Sequence, residues 1–177
     1  MMVRSRVIHV IGAMLLSAAA VLPIDCAAVM PMANADPTPA GACGVNVHAP
    51  VIDKAARSLP ESKDWKAPFT NEGSGNFNPC ATLSGAIAIP DGASTAAPVH
   101  VLLFHDGSFV GTATPVPYRH IGIDTKKSTD DTVVVGVHWK VGDECDACMS
   151  GVANVRFRWN GDKVEQLDPM PPQAVAG

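Results

Sequence analysis

The sequence predicts an α+β fold: one antiparallel sheet of about six strands, built as a meander of hairpins, with one short N-terminal helix packed on one face. Short apolar and β-branched segments recur between residues 83 and 167. The dipeptides Asp106-Gly107 and Asn160-Gly161 separate neighbouring segments as tight turns, and two-residue turns join antiparallel strands only. Upstream of these segments, helical periodicity occurs once.

The predicted helix runs from Pro50 to Leu59. Proline suits the first position of a helix, and Pro60 ends the segment. The apolar residues recur at the i, i+3, i+4, i+7 spacing of one helical stripe: Ile52, Ala55, Ala56 and Leu59. From Asp64 to Pro79 the chain is rich in Gly, Asn and Pro, which predicts a long irregular stretch. We expect Trp65, Phe69 and Phe77 to anchor it to the domain.

The strands follow from Cys80 onward. In the fourth strand, Val133, Val135, Val137 and Trp139 share one face by period-2 alternation. In the fifth, Arg156 and Arg158 alternate with apolar residues. Short links imply a meander whose one face is covered by the helix and the long N-terminal loop. The six predicted strands are Leu83–Ile89, Val99–His105, Ser108–Thr112, Thr132–Lys140, Val152–Trp159 and Asp162–Leu167.

Residues 1–35 have the layout of a secretory signal. A basic start with Arg4 and Arg6 precedes the apolar run from Val7 to Leu22, and Ala33-Asn34-Ala35 offers small residues for cleavage before Asp36. The run is shorter than the roughly 20 residues that span a bilayer. We therefore predict cleavage between Ala35 and Asp36. The alternatives are lipidation at Cys26, disfavoured by the charged residue before it, and an uncleaved anchor.

Cleavage leaves about 140 residues, the size of one domain. We divide them into a flexible lead-in at 36–42, a single domain at 43–168 and a disordered tail at 169–177. The formal net charge of the 177-residue chain is −4, which argues against broad nucleic-acid binding.

Four cysteines follow the leader: Cys43, Cys80, Cys145 and Cys148. In an oxidising compartment an even number predicts two disulfides, for which three pairings exist. We favour Cys43–Cys80 with Cys145–Cys148, because the first bond would tie the N-terminal segment to the start of the sheet.

Several blocks along the chain together resemble a known family. They are Cys43-Gly44-Val45-Asn46 before the helix, Gly75-Asn76-Phe77-Asn78-Pro79-Cys80-Ala81-Thr82-Leu83-Ser84, Leu103-Phe104-His105-Asp106-Gly107, Gly122-Ile123-Asp124-Thr125, Asp131-Thr132-Val133 and Val155-Arg156-Phe157-Arg158-Trp159. This ordered set resembles the mycobacterial LppP/LprE lipoprotein family. The resemblance implies export and a cell-envelope setting, and it transfers no catalytic residues. Family members are typically lipidated at a cysteine that ends a lipobox, and Asp25 departs from that pattern.

The motif Cys145-Asp146-Ala147-Cys148 has the spacing of a redox dithiol. It lacks a flanking βαβ unit and a following helix, and Glu144 and Asp146 would raise a nearby thiol pKa. A structural disulfide between two strands is the favoured interpretation. A zinc site of Cys145, Cys148 and His138 would need an unusual spacing and reduced thiols.

Other polar groups have plain structural interpretations. His105, Asp106 and Ser108 hold the residue types of a catalytic triad but lie on one hairpin turn. His100 is predicted as a hydrogen-bonded, semi-buried histidine on the face of Leu102 and Phe104, able to approach His138 only if their strands were neighbours. The acidic loop of Asp143, Glu144 and Asp146 lacks calcium-loop spacing. The remaining cations form a stripe on a water-facing side of the sheet: Arg156, Arg158 and Lys163. The alternative interpretation is that this stripe binds an acidic glycan or an anionic lipid.

These observations lead us to expect an exported, non-enzymatic cell-envelope domain that binds a small ligand or a protein partner, with no cofactor and no metal. Contact with a membrane is expected only if the chain is lipidated. The alternatives are a thiol–disulfide redox protein using the C-x-x-C pair, and a carrier of lipid or another hydrophobic ligand with the Asp64–Pro79 stretch as its lid.

Overall fold

A computed structural model of the chain describes residues 42–94 and 96–177. The predicted leader, Cys26, the Ala35–Asp36 junction and the lead-in up to residue 41 lie outside the described residues. The elements, in chain order, are α1 (Pro50–Arg57), β1 (Phe69–Gly75), β2 (Ser84–Pro90), β3 (His100–His105), β4 (Ser108–Thr112), β5 (Ile121–Ile123), β6 (Thr132–Trp139), β7 (Gly151–Trp159) and β8 (Val164–Gln166).

The strands form two antiparallel sheets of four strands each. Sheet 1 has the order β1-β2-β3-β4, and sheet 2 has the order β5-β6-β7-β8. The antiparallel, mostly β character with one short helix is confirmed, whereas the prediction of a single sheet with about six strands is corrected. The two unpredicted strands are β1, whose sequence is FTNEGSG, and β5, which has only three residues. Neither carries an apolar alternation that would mark a strand.

Two sheets form because β2 and β3 are apolar on both faces. Ala86, Ala88, Leu102 and Phe104 face α1 and belong to the helix-side core. Ile87, Val101 and Leu103 point the other way. A strand buried on both faces needs a covering layer on each side, and the helix supplies only one. The inter-sheet core supplies the other, through side chains of sheet 2: Val133, Val135, Val137, Val155 and Phe157.

The helix α1 matches its prediction within two residues at its C-terminal end. Proline occupies its first turn, and the Ser58 hydroxyl donates a 2.7 Å hydrogen bond to the Ala55 carbonyl oxygen where the helix ends. Ile52 and Ala56 are fully buried. Burial of apolar surface stabilises a fold by roughly 25 cal/mol per Å². Burial of this stripe therefore stabilises a helix that is too short to be stable alone.

The C-terminal residues differ from the predicted disordered tail. Ala176 forms an isolated antiparallel bridge with Tyr118, and the Arg119 amide donates a 2.9 Å hydrogen bond to the Val175 carbonyl. Met170 and Ala174 pack against the inter-sheet core. The bridge and the hydrogen bond join residues that are 58 and 56 positions apart, so no local pattern in a Pro- and Ala-rich segment could indicate them.

Candidate functional site

A cavity of about 280 Å³ lies on the helix side of sheet 1, beyond the end of α1. The helix stops at Arg57, so beyond it the cavity is enclosed by the segments at 59–64 and 115–117 instead of by the helix. The lining is largely apolar and includes Leu59, Phe69, Pro98, Val116 and Pro117. We call this cavity the His100 pocket.

His100 is one of two buried polar residues that line this pocket, the other being Ser62. The His100 side chain is only 7% exposed, and its Nδ1 atom is buried without a hydrogen-bond partner. The ring packs edge-on against Phe69, with 4.9 Å between centroids. Burial lowers the pKa of His100 from 6.5 to about 4, because desolvation penalises the charged imidazolium. The pocket therefore contains a neutral imidazole at physiological pH. The predicted burial of His100 is confirmed, whereas the predicted hydrogen bonding is wrong for Nδ1, because no donor or acceptor of the described residues reaches this atom.

The rim of the His100 pocket carries charged residues, and contacts of Arg119 hold one edge of the opening in place. Glu61, Lys63 and Asp64 line the edge. The Arg119 guanidinium lies 3.8 Å from the Asp64 carboxylate, stacks 5.7 Å from the Trp65 ring centroid and donates a 2.9 Å hydrogen bond to the Ala96 carbonyl. These contacts hold the 59–66 segment over the sheet. Trp65 thus packs against the domain, as predicted, through a cation–π contact.

The four described cysteines form the two favoured pairs. The structure joins Cys43 to Cys80 and Cys145 to Cys148, with Cα–Cα distances of 5.3 and 5.0 Å, within the range usual for disulfides. All four residues are exposed. The first bond ties the segment before α1 to the start of sheet 1, and the second closes a small ring in the β6–β7 connection.

The Cys145–Cys148 ring is held by charged neighbours. The Glu144 carboxylate accepts hydrogen bonds from the Val141 and Ser150 amides at 2.8 and 3.0 Å, and the hydrogen bonds of Ser150 and Val141 lower the pKa of Glu144. The Lys140 ammonium lies 2.6 Å from Asp146, and its hydrogen bond lowers the pKa of that carboxyl. The carboxylates of Glu144 and Asp146 thus stabilise the loop in which they lie. Among the described residues no helix follows the C-x-x-C pair.

His105, Asp106 and Ser108 do not form a triad. The His105 Nδ1 lies 2.6 Å from the Thr82 carbonyl oxygen, so this nitrogen carries the proton and donates. The ring stacks on Trp159 with 3.8 Å between centroids and an angle of 10°, and its Nε2 lies 3.4 Å from Asp106. Ser108 stands opposite His105 in the ladder. The imidazole fastens the β3–β4 hairpin of sheet 1 to β7 of sheet 2.

The predicted cationic stripe is partly neutralised. The Arg156 guanidinium donates two hydrogen bonds to the Asp168 carboxylate, at 2.7 and 2.8 Å, and its backbone amide donates a third. This bonding lowers the pKa of Asp168 to about 2. Arg158 faces the carboxylate of Asp131, whose pKa is lowered chiefly by hydrogen bonds from Thr129 and Thr132. The charge available to an acidic glycan or anionic lipid is therefore smaller than the sequence indicates.

Two histidines lie on sheet 2, and sequence reasoning overlooked one of them. His138 does not lie on a strand next to that of His100, because β3 and β6 belong to different sheets. It stands instead beside His120, and its amide donates a 2.9 Å hydrogen bond to the His120 carbonyl. His120 precedes the three-residue strand β5, which the apolar pattern did not reveal. Within the described ranges, no group of three or more His, Cys, Asp and Glu side chains is arranged to hold a metal ion.

None of the helices in the described part of the chain is long and apolar enough to cross a membrane. The class of protein is a disulfide-bonded α+β domain in which a helix, sheet 1 and sheet 2 form three layers, with a small pocket on the helix side of sheet 1. No solved structure matches the chain.

Residues 75–162 match the family model described as LppP/LprE lipoprotein. The LprE protein of Mycobacterium tuberculosis is 34% identical over 127 residues, which cover 71% of this chain and 58% of that protein. LprE of Mycobacterium leprae is 32% identical over the same length, 59% of that protein. LppP of Mycobacterium tuberculosis is 35% identical over 88 residues, 48% of each chain. The matches thus span less than two thirds of each relative. The resemblance found in the sequence is confirmed.

Proposed function

We propose that this protein is an exported, non-enzymatic domain of the cell envelope that binds a small ligand in the His100 pocket. One observation carries the proposal: a neutral, buried imidazole lies in the wall of an apolar cavity and has an unsatisfied nitrogen. A buried polar atom without a partner costs about 1–3 kcal/mol. The Nδ1 atom itself has almost no accessible surface, so a ligand recovers that free energy when the imidazole ring turns this nitrogen toward the cavity. The envelope setting is supported by the lipoprotein relatives.

The pocket favours a small, uncharged ligand. Its volume of about 280 Å³ is near the lower end of the range for ligand sites, roughly 300–1,000 Å³. The wall is mainly Leu, Phe, Val and Pro, so a charged group would be desolvated without a partner. A compact apolar molecule with one hydroxyl or amide group fits these properties. A two-chain lipid is too large for this volume. The stretch Asp64–Pro79, which would be the lid of a lipid carrier, contains strand β1 of sheet 1.

A library of small alcohols, phenols and amides, screened by ligand-detected NMR, tests this function. We expect hits to be displaced by one another and to be lost in Val116→Trp, where an exposed residue at the pocket wall is enlarged into the opening. The matched control is Val152→Trp, because Val152 is also exposed but lies on sheet 2. Equal binding by both variants would refute the pocket, and reproducible turnover that is lost in Val116→Trp would refute a non-enzymatic role.

The C-x-x-C pair supports a second candidate function, thiol–disulfide exchange. The observation in its favour is that both cysteines are exposed, since a redox-active pair must be reachable by its partner. Alkylation of the native protein under mild reduction distinguishes a redox-active pair from a structural disulfide. Rapid labelling of Cys145 and Cys148 together with insulin reduction would support this function. A pair that resists reduction until the fold melts would exclude it.

A further inference from the structure

Two histidines meet at the end of the ladder between β5 and β6. Ile121 pairs with Val137 and Gly122 with Gly136 in the antiparallel register of these strands. His120 directly precedes this ladder and His138 directly follows Val137, and the hydrogen bond described above joins their backbones. Both side chains line one depression of the surface. Two imidazoles that share a depression can bind one ion together.

The sheet carries little side-chain bulk beside the imidazoles. Gly122 and Gly136 lie on the same sheet face as His138, and neither has a side chain. Both histidines line an open depression of about 370 Å³ that includes Gly122. A Cβ atom at Gly136 would stand 3.5 Å from the His138 Nε2, an ordinary van der Waals distance. The His138 imidazole therefore lies beside the Gly136 backbone.

His120 has a left-handed backbone conformation with φ of 55°. This region is uncommon for a residue other than glycine, asparagine or aspartate. Backbone strain of this kind tends to occur at functional positions. In this conformation the His120 side chain reaches the depression beside His138.

The C-x-x-C ring brings a third side chain to the depression. Met149 follows the ring directly, is half-buried and lines the same depression. Asp146, the carboxylate in this lining, is held by Lys140 at 2.6 Å. The groups free to bind an ion are thus two imidazoles and one thioether.

We propose that His120, His138 and Met149 bind one Cu(I) ion. Thioether ligands select soft ions, and imidazole suits copper, whereas magnesium and calcium require several oxygen ligands. Zinc favours four ligands of the Cys, His and carboxylate types, and such a set is not assembled in the described residues. This site lies on the other sheet from the His100 pocket and is independent of its function.

Competition with a chromophoric Cu(I) chelator, under anaerobic conditions, tests the site. The full chain is used with Cys26→Ser in every sample, so that no thiol outside the two disulfides competes. We expect His138→Ala, His120→Asn and Met149→Leu each to weaken Cu(I) binding by roughly tenfold or more. Asparagine is chosen at 120 because it tolerates the left-handed backbone. The control His48→Ala removes an exposed histidine elsewhere and should leave the affinity unchanged.

Melting temperatures of the copper-free variants establish that the fold persists in each. Loss of binding in His120→Asn, His138→Ala and Met149→Leu, with His48→Ala unaffected, supports the three-ligand site. Equal loss in His48→Ala would show nonspecific binding by surface histidines and overturn it. Unchanged affinity in Met149→Leu would also overturn it, since the thioether is what assigns the site to Cu(I).

Discussion

Sheet 1 and sheet 2 have the same number of strands but bury them differently. In sheet 1, β2 and β3 are buried at nearly every position, because α1 covers one face and sheet 2 the other. In sheet 2, β6 is buried at the consecutive positions 133–137, but β7 alternates between buried and exposed residues, because the second face of β7 meets solvent. The difference teaches that the helix, although it has only eight residues, determines which sheet forms the centre of the domain and which keeps an accessible face.

The largest effect should come from truncating a side chain in the doubly covered sheet. Phe104 is fully buried, with ring centroids of Phe77 and Phe109 at 4.8 and 5.7 Å. We expect Phe104→Ala to lower the free energy of unfolding by about 3–5 kcal/mol, measured by urea denaturation. Val152→Ala, on the open face of sheet 2, should change it by less than about 0.5 kcal/mol. Similar losses in both would mean that the second face of sheet 2 is also covered.

The two disulfides extend the comparison, since Cys43–Cys80 lies beside the start of β2 in sheet 1 and Cys145–Cys148 lies between β6 and β7 of sheet 2. Cys43–Cys80 spans 37 positions and Cys145–Cys148 only three. In the chain-entropy model, the longer loop stabilises by about 3–4 kcal/mol and the shorter by about 2 kcal/mol. Urea denaturation of the two double Cys→Ser variants measures this difference. Intact mass should show four hydrogens fewer than the fully reduced chain. A larger loss for the short loop would contradict the entropic interpretation.

A smaller, pH-dependent effect should arise from His100 in sheet 1. In the unfolded chain this histidine binds a proton below about pH 6.5, whereas in the fold its pKa is about 4. The unfolded state therefore binds more protons between these values, so stability is highest above 6.5 and falls as the pH drops toward 4. We expect His100→Gln to flatten that part of the curve of unfolding free energy against pH, and His48→Gln to leave it unchanged. An unaltered slope in His100→Gln would show that the imidazole is not desolvated.

The smallest effect should come from the exposed face of sheet 2. The pKa of Asp168, about 2, lies below the usual 3.8, so its pairing with Arg156 stabilises the fold at neutral pH and is lost as the pH falls from about 4 to 2. We expect Asp168→Asn to lower the melting temperature slightly at pH 7 and not at all at pH 2. Because exposed pairs are screened, added salt should shrink the difference at pH 7. A difference that persists at pH 2 would indicate that Asp168 acts through another contact.

Local patterns in the sequence correctly predicted the elements that carry their own signals. The stripe of Ile52, Ala55 and Ala56 marks α1, and Asp106-Gly107, with positive φ at both positions, marks the β3–β4 hairpin. The strands β1 and β5 were missed because their pairing is decided by a neighbour: Phe69 pairs with Pro90, and Ile121 with Val137. The doubly apolar β2 and β3 did contain evidence of a second covering layer, which the single-sheet prediction did not use.

The sequence by itself determined the antiparallel α+β class, the hairpins and the family resemblance, since each depends on neighbouring residues or on an ordered set of blocks. Only the tertiary structure decided that the strands divide into two sheets. It also decided that His100 would line a pocket where α1 ends, and that His120 would stand beside His138. The physical reason is that burial and cross-strand register are set by contacts between distant segments. Residues 100, 120 and 138 have no periodic relation that a linear pattern could express.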